Sequence, residues 1–253
     1  MSIQLNKLVS YLDQYLRVRS FQDYCPNGLQ VEGRPVVSKI LGGVTANQEL
    51  IDFAISNEFD AILVHHGFFW KGEDQAITGI KKKRLQALLK NDISLIGYHL
   101  PLDAHPVVGN NAQLAQLLSL KNIGPLDPSA NISVGITGEL EESLSASMLQ
   151  QVISSSLGRE CFHVGDNSKL LRKVGLCTGA AQGMISEAVK QNMDAFISGE
   201  ISEPTVHIAN ETGVNYFSAG HHATERGGVI ALGNHLASEF NVAFEFIDLF
   251  HTV

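Results

Sequence analysis

The feature that most constrains the fold of this chain is a segment that occurs twice. Residues 39–66 resemble residues 173–200, and each copy has the pattern of a strand, a tight turn, a helix, an Asp-Ala pair and a second strand. The matched positions are Lys39 with Lys173, Ala46 with Ala180, Gln48 with Gln182, Ile51 with Ile185, Ala54 with Ala188, and Asp60-Ala61 with Asp194-Ala195. A duplication predicts two related α/β lobes that face each other, with a cleft where their second strands end. The alternative is that two unrelated β-α-β units share a common hydrophobic pattern.

Strand-like and helix-like segments alternate along the chain, which predicts an α/β fold. Predicted strands cover 39–44, 61–66, 94–99, 215–222 and 242–249, and predicted helices cover 47–59, 82–92, 111–118 and 223–240. Residues 133–158 differ and predict a strand, a helix that starts at glutamates, and a glycine stop. The turn-rich tract 126–131 before them is the predicted boundary. We therefore predict a metal-binding lobe of residues 1–125 plus 220–253 and a second lobe of residues 126–219.

Composition excludes several classes of protein. The 253 residues are 44% hydrophobic, enough for a sizeable core, but no apolar run reaches the ~18 residues that a membrane span needs. The N-terminal residues 1–16 predict an amphipathic helix and not a signal peptide, so we expect a cytoplasmic protein. Three cysteines without CxxC spacing suit a reducing compartment. The net charge of −8 disfavours nucleic-acid binding. The basic run 81–84 is interpreted as a solvated helix start, with a phosphate or partner contact as the alternative.

The first stretch with metal-binding chemistry is LVHHG, where an apolar strand runs into His65 and His66. Adjacent residues on a regular strand point to opposite faces. At a strand end the backbone turns, and Gly67 permits that turn, so both imidazoles can reach one cleft. The alternative is a pair of structural histidines.

The second stretch is YHLPLDAHP, which contains His99 and Asp103. Pro101 and Pro106 predict an extended, rigid segment that places the carboxylate at little ordering cost. Asp103 is a candidate ligand, or else a helix cap or turn residue. His99 is expected to hold Asp103 in place rather than to bind an ion itself.

The third stretch is GHHATERGG. His221 and Glu225 are spaced i, i+4, so on a helix they share one face and can hold one ion. Gly227 and Gly228 each cost a helix roughly 1 kcal/mol, which indicates close packing nearby. The alternative is a solvated helix start.

Together these stretches offer three imidazoles and two carboxylates. This set suits Zn, Mn, Fe, Co or Ni rather than Ca, and it exceeds what one tetrahedral ion needs. Two divalent ions about 3.5–4 Å apart, bridged by Glu225, explain the surplus. Two such ions acidify a water molecule held between them and supply a hydroxide nucleophile.

These residues lie in motifs that resemble the GTP cyclohydrolase type 2 homologue family, also called NIF-three-like dinuclear metal proteins. The motifs are DYCPNGLQVEG (23–33), GGVTA (42–46), VHHGFFWKG (64–72), HLPLDAHPVVGNNAQLA (99–115) and GHHATERGG (220–228). The resemblance covers essentially the whole chain. It implies that the ligands are His65, His66, Asp103, His221 and Glu225, with Glu225 touching both ions. It also implies two interlocked α/β lobes and a ring-shaped homohexamer.

The leading functional hypothesis is metal-dependent hydrolysis of a C–N bond in a purine nucleotide. For GTP, attack at C8 opens the imidazole ring and releases formate, leaving 7,8-dihydroneopterin triphosphate. The candidate general acids are His99, His222 and Glu200. Two alternatives stay open: phosphoester cleavage at a two-metal site, and a metal-dependent binding or regulatory protein without turnover.

Substrate recognition is poorly indicated by the sequence. The turns 42–47 and 177–183 could offer backbone N–H groups to phosphate, although a tight strand-to-helix turn explains both equally well. Asn27, Gln30 and Trp70 are candidates for contact with a base, against packing or turn formation for each.

Overall fold

The structure, a computed structural model, describes residues 1–249. The strands are β1 Ile3–Gln4, β2 Gly28–Val31, β3 Val36–Val37, β4 Lys39–Thr45, β5 Ala61–His66, β6 Ser94–Gly97, β7 Lys121–Pro125, β8 Ile136–Ser145, β9 Phe162–Val164, β10 Leu170–Cys177, β11 Ala195–Ser198, β12 Asn215–Ser218 and β13 Ala243–Phe246. The helices are α1 Leu5–Tyr15, α2 Gln48–Ser56, α3 Gly79–Lys90, α4 Leu100–Ala104, α5 Asn110–Leu117, α6 Ala146–Leu157, α7 Ile185–Lys190, α8 Glu203–Thr212 and α9 His221–Phe240. The predicted α/β class is confirmed.

The first compact unit comprises residues 1–102 and 228–250, of which those up to 249 are described. Its main sheet has the order β13-β4-β5-β6-β2, in which only β2 pairs antiparallel. Residues 61–64 of β5 are all buried, as expected for a central parallel strand covered on both faces. The N-cap of α2 is Asn47, whose side chain accepts a hydrogen bond from the Leu50 N–H at 2.8 Å.

The second compact unit comprises residues 103–227. Its sheet has the order β7-β8-β10-β11-β12-β9, with β10, β11 and β12 parallel. The helix expected to start at glutamates instead starts at Ala146, because the Ser145 hydroxyl accepts from the Met148 N–H and caps it. The glutamates before it lie in β8, which pairs with β10. Gly158, with φ +69°, ends α6 as predicted.

The unit boundaries differ from the predicted ones. The tract 126–131 lies inside the second unit, because β7 before it already pairs with β8. At the other end, α9 begins in the second unit and ends in the first. None of the helices in residues 1–249 is long and apolar enough to cross a membrane.

The two copies of the repeated segment share one arrangement of hydrogen bonds between an aspartate and the backbone of a lysine. In the first copy, Asp60 Oδ2 accepts from the Lys39 N–H at 2.9 Å, while the Asp60 N–H donates to the Lys39 carbonyl at 2.9 Å. In the second, Asp194 Oδ2 accepts from the Lys173 N–H at 2.8 Å, and the Asp194 N–H donates to the Lys173 carbonyl at 2.9 Å. In each copy, the Lys of the first strand is therefore hydrogen-bonded to the Asp that immediately precedes the second strand.

Asp60 is more buried than its counterpart Asp194, with 6% of its surface exposed. Its Oδ2 also accepts from the Ser38 N–H at 2.7 Å and the Ser38 hydroxyl at 2.6 Å, and its Oδ1 pairs with Arg34 at 2.9 Å. Burial alone would raise the pKa of Asp60, but the hydrogen bonds from Ser38 and Lys39 and the charge of Arg34 outweigh it and lower the pKa. The ionised form is thus the one that the folded chain stabilises.

We expect Asp60→Asn to lower the free energy of unfolding by about 2–4 kcal/mol at neutral pH, because an amide cannot accept all these bonds or pair with Arg34. Since the folded-state pKa is below the unfolded value of about 3.9, the contribution of Asp60 is present above that value and is lost as pH falls through the folded pKa. Urea unfolding at neutral and acid pH measures this. Asp52→Asn, at an exposed site on α2, is the control; an equal loss at all pH values would contradict the role of ionisation.

Candidate metal centre

His65 and His66 lie at the end of β5 in the first unit, with ring centroids 4.6 Å apart. The Nδ1 of His65 donates to the Tyr98 carbonyl at 2.9 Å, and the Nδ1 of His66 is hydrogen-bonded to Thr45 Oγ1 at 3.1 Å. A carbonyl can only accept, so the neutral His65 ring carries its lone pair on Nε2. Binding of the other ring nitrogen to the protein is typical of metal-ligating histidines.

A residue larger than Gly67 does not fit after these histidines, because its Cβ would collide with a neighbouring side chain. A Cβ there would lie 2.1 Å from Gln30 Oε1, which accepts from the Phe68 N–H at 2.7 Å. The side chain of Gln30 occupies the space that a Cβ at position 67 would need, so glycine is the residue that fits there.

His99 follows β6 and joins the two histidines. Its ring centroid lies 5.0 Å from that of His65 and 5.7 Å from that of His66. The three residues each offer a ligand atom within 4.8 Å of the others. The partner of His99 Nδ1 is Asp23 Oδ1 at 2.7 Å, and a contact of His99 with Asp103 stays a prediction. Asp23 lies 76 residues earlier in the chain, and no local pattern indicates that pairing.

Asp23, Cys25 and His99 form a second cluster with ligand atoms within 4.8 Å. Burial, with the nearby charge of Asp23, raises the pKa of Cys25 to about 12, so the thiol is protonated in the metal-free protein. Burial would also raise the pKa of Asp23, but hydrogen bonds from His99 and Asn27 outweigh it and lower the pKa. Asp23 therefore acts as an ionised carboxylate that orients the His99 ring.

The segment after His99 is helical, so the prediction of an extended segment was wrong. It forms α4, and the Leu100 N–H donates to Asp23 Oδ2 at 2.9 Å. Pro101 lies in the first turn of this helix, where a missing N–H costs nothing. Proline at this position starts a helix instead of preventing one.

Asp103 belongs to the second unit and is 5% exposed. Its Oδ1 accepts from Asn110 Nδ2 at 2.8 Å and from Thr178 Oγ1 at 3.2 Å, while Asn111 Nδ2 donates to its backbone carbonyl at 3.1 Å. Asn110 and Asn111 are 0% and 1% exposed. Neither asparagine was among the predicted site residues, although two adjacent asparagines at the start of a predicted helix were the available signal.

His221 and Glu225 start α9 on one face, as predicted from their spacing. His221 Nε2 lies 3.2 Å from Glu225 Oε2, and His221 Nδ1 lies 2.7 Å from Glu200 Oε1. Burial would lower the pKa of His221, but Glu225 and then Glu200 outweigh it and raise the pKa to about 9. The two glutamates thus favour a positive charge on or beside the imidazole of His221.

A second carboxylate lies close to Glu225. Ligand oxygens of Asp103 and Glu225 come within 4.8 Å of each other, and the two residues are 5% and 2% exposed. Two buried like charges at this distance repel each other, and a bound cation removes that cost. The second unit thus brings together three of the predicted ligands: Asp103, His221 and Glu225.

The turn 177–183 supports these ligands. Thr178 binds Asp103, and the Gly179 N–H donates to Thr224 Oγ1 at 3.1 Å. In the first unit, Thr45 of the matching turn binds His66. These contacts explain both turns without a phosphate. Gly227, expected to mark close packing, does so: a Cβ there would lie 2.8 Å from Gln113 Cβ.

Glu200 and His222, two predicted general acids, differ in what surrounds them. Glu200 contacts Nδ1 of His221, the position of a carboxylate that orients a metal-ligating histidine. His222 is half-buried on α9 beside His221. The contact of Glu200 with His221 indicates a positioning role for Glu200.

We expect Glu200→Ala to weaken divalent-metal binding by roughly 10–100-fold with little loss of stability, because Nδ1 of His221 loses the group that fixes its ring. Titration calorimetry with Zn²⁺ or Mn²⁺ measures the change. Glu203→Ala is the matched control, since Glu203 is an exposed glutamate whose nearest ionic partner is His207. Wild-type affinity in Glu200→Ala would show that His221 needs no such support.

The fold and these donors define a class: an α/β protein whose clustered histidines and carboxylates are of the kind that bind divalent metal ions. Residues 3–252 match the family described as Duf34/NIF3 (NGG1p interacting factor 3), and the chain belongs to that family. This confirms the resemblance found in the motifs.

The chain is also similar to curated relatives and to a solved structure. The chain is 50% identical over 248 residues to "GTP cyclohydrolase 1 type 2 homolog" of Pseudomonas aeruginosa, covering 98% of each chain. It is 51% identical over 246 residues to the protein of the same name from Haemophilus influenzae, covering 96% of this chain and 97% of that one. A solved structure, "protein ybgI, unknown function", matches with a TM-score of 0.95 and 44% identity over 99% of this chain and 100% of that chain.

Proposed function

We propose that the protein binds two divalent metal ions and hydrolyses a C–N bond of a purine nucleotide, as the name of its relatives suggests for GTP. The residues that would hold the metal are His65, His66, Asp103, His221 and Glu225. The observation that carries the proposal is the buried carboxylate pair, Asp103 and Glu225, within 4.8 Å. The ring orientation of His65 supports it.

The metal ions would supply an acidified water molecule as nucleophile for C8 of guanine. The chain would supply the proton for the ring nitrogen that leaves when the imidazole ring opens. His99 is the better candidate for this step than Glu200, because Asp23 binds its Nδ1 and leaves Nε2 as the nitrogen that can exchange a proton with substrate. Asp23, held by Asn27 at 2.8 Å, keeps the ring in that orientation.

The test is to load the purified protein with Zn²⁺, Mn²⁺, Fe²⁺, Co²⁺ or Ni²⁺ and to measure formate and phosphate released from GTP. Formate release that disappears with a chelator and returns with metal would support the proposal. Phosphate release without formate would show a phosphoester hydrolase instead. Neither product, at full metal loading, would contradict a hydrolytic function on GTP.

The same samples test the candidate ligands of each unit separately. His66→Ala in the first unit and His221→Ala in the second should each lower the metal content. A loss confined to one of the two would show that the metal is held by one unit alone.

A further inference from the structure

Two loops of the first unit come together next to the histidines. The Lys71 N–H donates to the Tyr24 carbonyl at 2.6 Å, which joins residues 68–72 to residues 23–25. Trp70 Nε1 donates to the Gly67 carbonyl at 3.2 Å, and the Tyr24 N–H donates to Asp23 Oδ1 at 2.6 Å. These hydrogen bonds fix the backbone of Tyr24 and the indole ring of Trp70. Both residues lie next to groups that orient His99.

The aromatic residues of the second loop divide into two kinds. Phe68 is 6% exposed and belongs to the core of the first unit, and Phe69 packs against that core. Trp70 is not part of that core cluster and remains partly exposed. Phe69 has φ +66°, a costly conformation for a bulky residue that tends to persist at functional sites. Packing thus accounts for the two phenylalanines but not for Trp70.

Tyr24 is likewise unexplained by packing, since it is 63% exposed. Its ring centroid lies 6.4 Å from that of His99, with an interplanar angle of 68°. The Trp70 centroid lies 5.0 Å from His99 at 83°, and 5.8 Å from His66. Two aromatic rings that remain exposed or partly exposed thus lie next to the histidines of the candidate centre.

We propose that Tyr24 and Trp70 form a stacking subsite for the planar heteroaromatic ring of the substrate. The identity of that ring as a purine rests on the proposed function; the subsite itself rests on the aromatic rings. Stacking on exposed aromatic side chains is the usual way in which proteins bind a base without reading its edge.

Asn27 and Gln30, the other candidates for base contact, have different roles. Asn27 donates to Asp23 and accepts from the His99 N–H at 2.7 Å. Gln30 donates to the Pro26 carbonyl at 2.8 Å and accepts from Phe68. Both side-chain amides brace the loops. We therefore expect the subsite to bind guanosine and adenosine with similar affinity.

Trp70 is the single tryptophan of the chain, so intrinsic tryptophan fluorescence reports on this subsite directly and without turnover. The metal-loaded protein is titrated with guanosine and, separately, with ribose and with tripolyphosphate. Quenching by guanosine alone is expected. Tyr24→Ala should weaken guanosine binding about tenfold, whereas Tyr24→Phe should bind like the wild type.

Phe162→Ala is the matched control, since Phe162 is an aromatic residue 58% exposed in the second unit. Guanosine binding that is unchanged in Tyr24→Ala, or equal quenching by ribose, would overturn the subsite. Quenching by guanosine in a protein that releases no formate would keep the subsite and contradict only the proposed reaction. Formate release with an unchanged KM for GTP in Tyr24→Ala would keep the reaction and contradict the subsite.

Discussion

Glu225→Ala should reduce bound divalent metal from about two ions per chain to one or none, because the proposed bridging carboxylate is lost. Glu225 is 2% exposed, lies 3.2 Å from His221 Nε2 and comes within 4.8 Å of a ligand oxygen of Asp103. Removing it takes away an ion pair with His221 and also relieves repulsion from Asp103. These effects oppose each other, so we expect the metal-free variant to unfold within about 1 kcal/mol of the wild type.

The difference should appear when metal is added. A ligand present at about 1,000 times its Kd stabilises the folded state by about 4 kcal/mol, and we expect Glu225→Ala to lose most of that gain. Elemental analysis gives the metal content, and thermal unfolding with and without metal gives the stabilisation. Glu239→Ala, which removes an exposed glutamate of the same helix, should behave as the wild type in both. Full metal content in Glu225→Ala would exclude Glu225 as a ligand.

Gly179→Ala should abolish metal binding nearly as completely, although Gly179 offers no ligand atom. A Cβ at this position would lie 2.0 Å from Glu225 Oε1 and 3.3 Å from His221 Nε2. The carboxylate is buried and would have to leave its position to make room. Gly179 also has φ +67°, which costs an alanine about 1 kcal/mol. We expect the free energy of unfolding to fall by about 2–4 kcal/mol in total.

Gly213→Ala separates the two effects. Gly213 has φ +72°, but a Cβ there would meet no heavy atom within 4 Å. This variant should lose only the backbone contribution of about 1 kcal/mol and keep its metal. Elemental analysis and urea unfolding of both variants make the comparison. Wild-type metal binding in Gly179→Ala would mean that the position of the Glu225 carboxylate does not matter.

Much of the fold could be predicted because its signals are local. The apolar run of β5 and a helix from residue 47 were predicted in the first copy of the repeat. Its Lys39 and Asp60 recur in the second copy as Lys173 and Asp194. Short edge strands such as β9 carry too few residues to show a period. The start of α6 was misplaced because pairing of β8 with β10 overrides the helix preference of its glutamates.

The candidate ligands could also be predicted as residues, but not their surroundings. Strand-end histidines and the HxxxE spacing of α9 are visible in the chain. The proline interpretation of 100–106 failed because the same residue favours extended backbone before it and a helix after it. The Leu100 N–H at the start of this helix donates to Asp23, 77 positions earlier in the chain, which is a contact that no local pattern indicates.

By itself, then, the sequence determined the class of fold, the duplicated unit and the types of donor atom available, because each depends on neighbours a few positions apart. Tertiary structure alone decided which groups orient those donors: Asp23 on His99, Tyr98 on His65, Glu200 on His221, and the space that Gly179 leaves for Glu225. These contacts join residues 21 to 76 positions apart, and the folding of strands and turns around them, rather than any local pattern, brings the partners together.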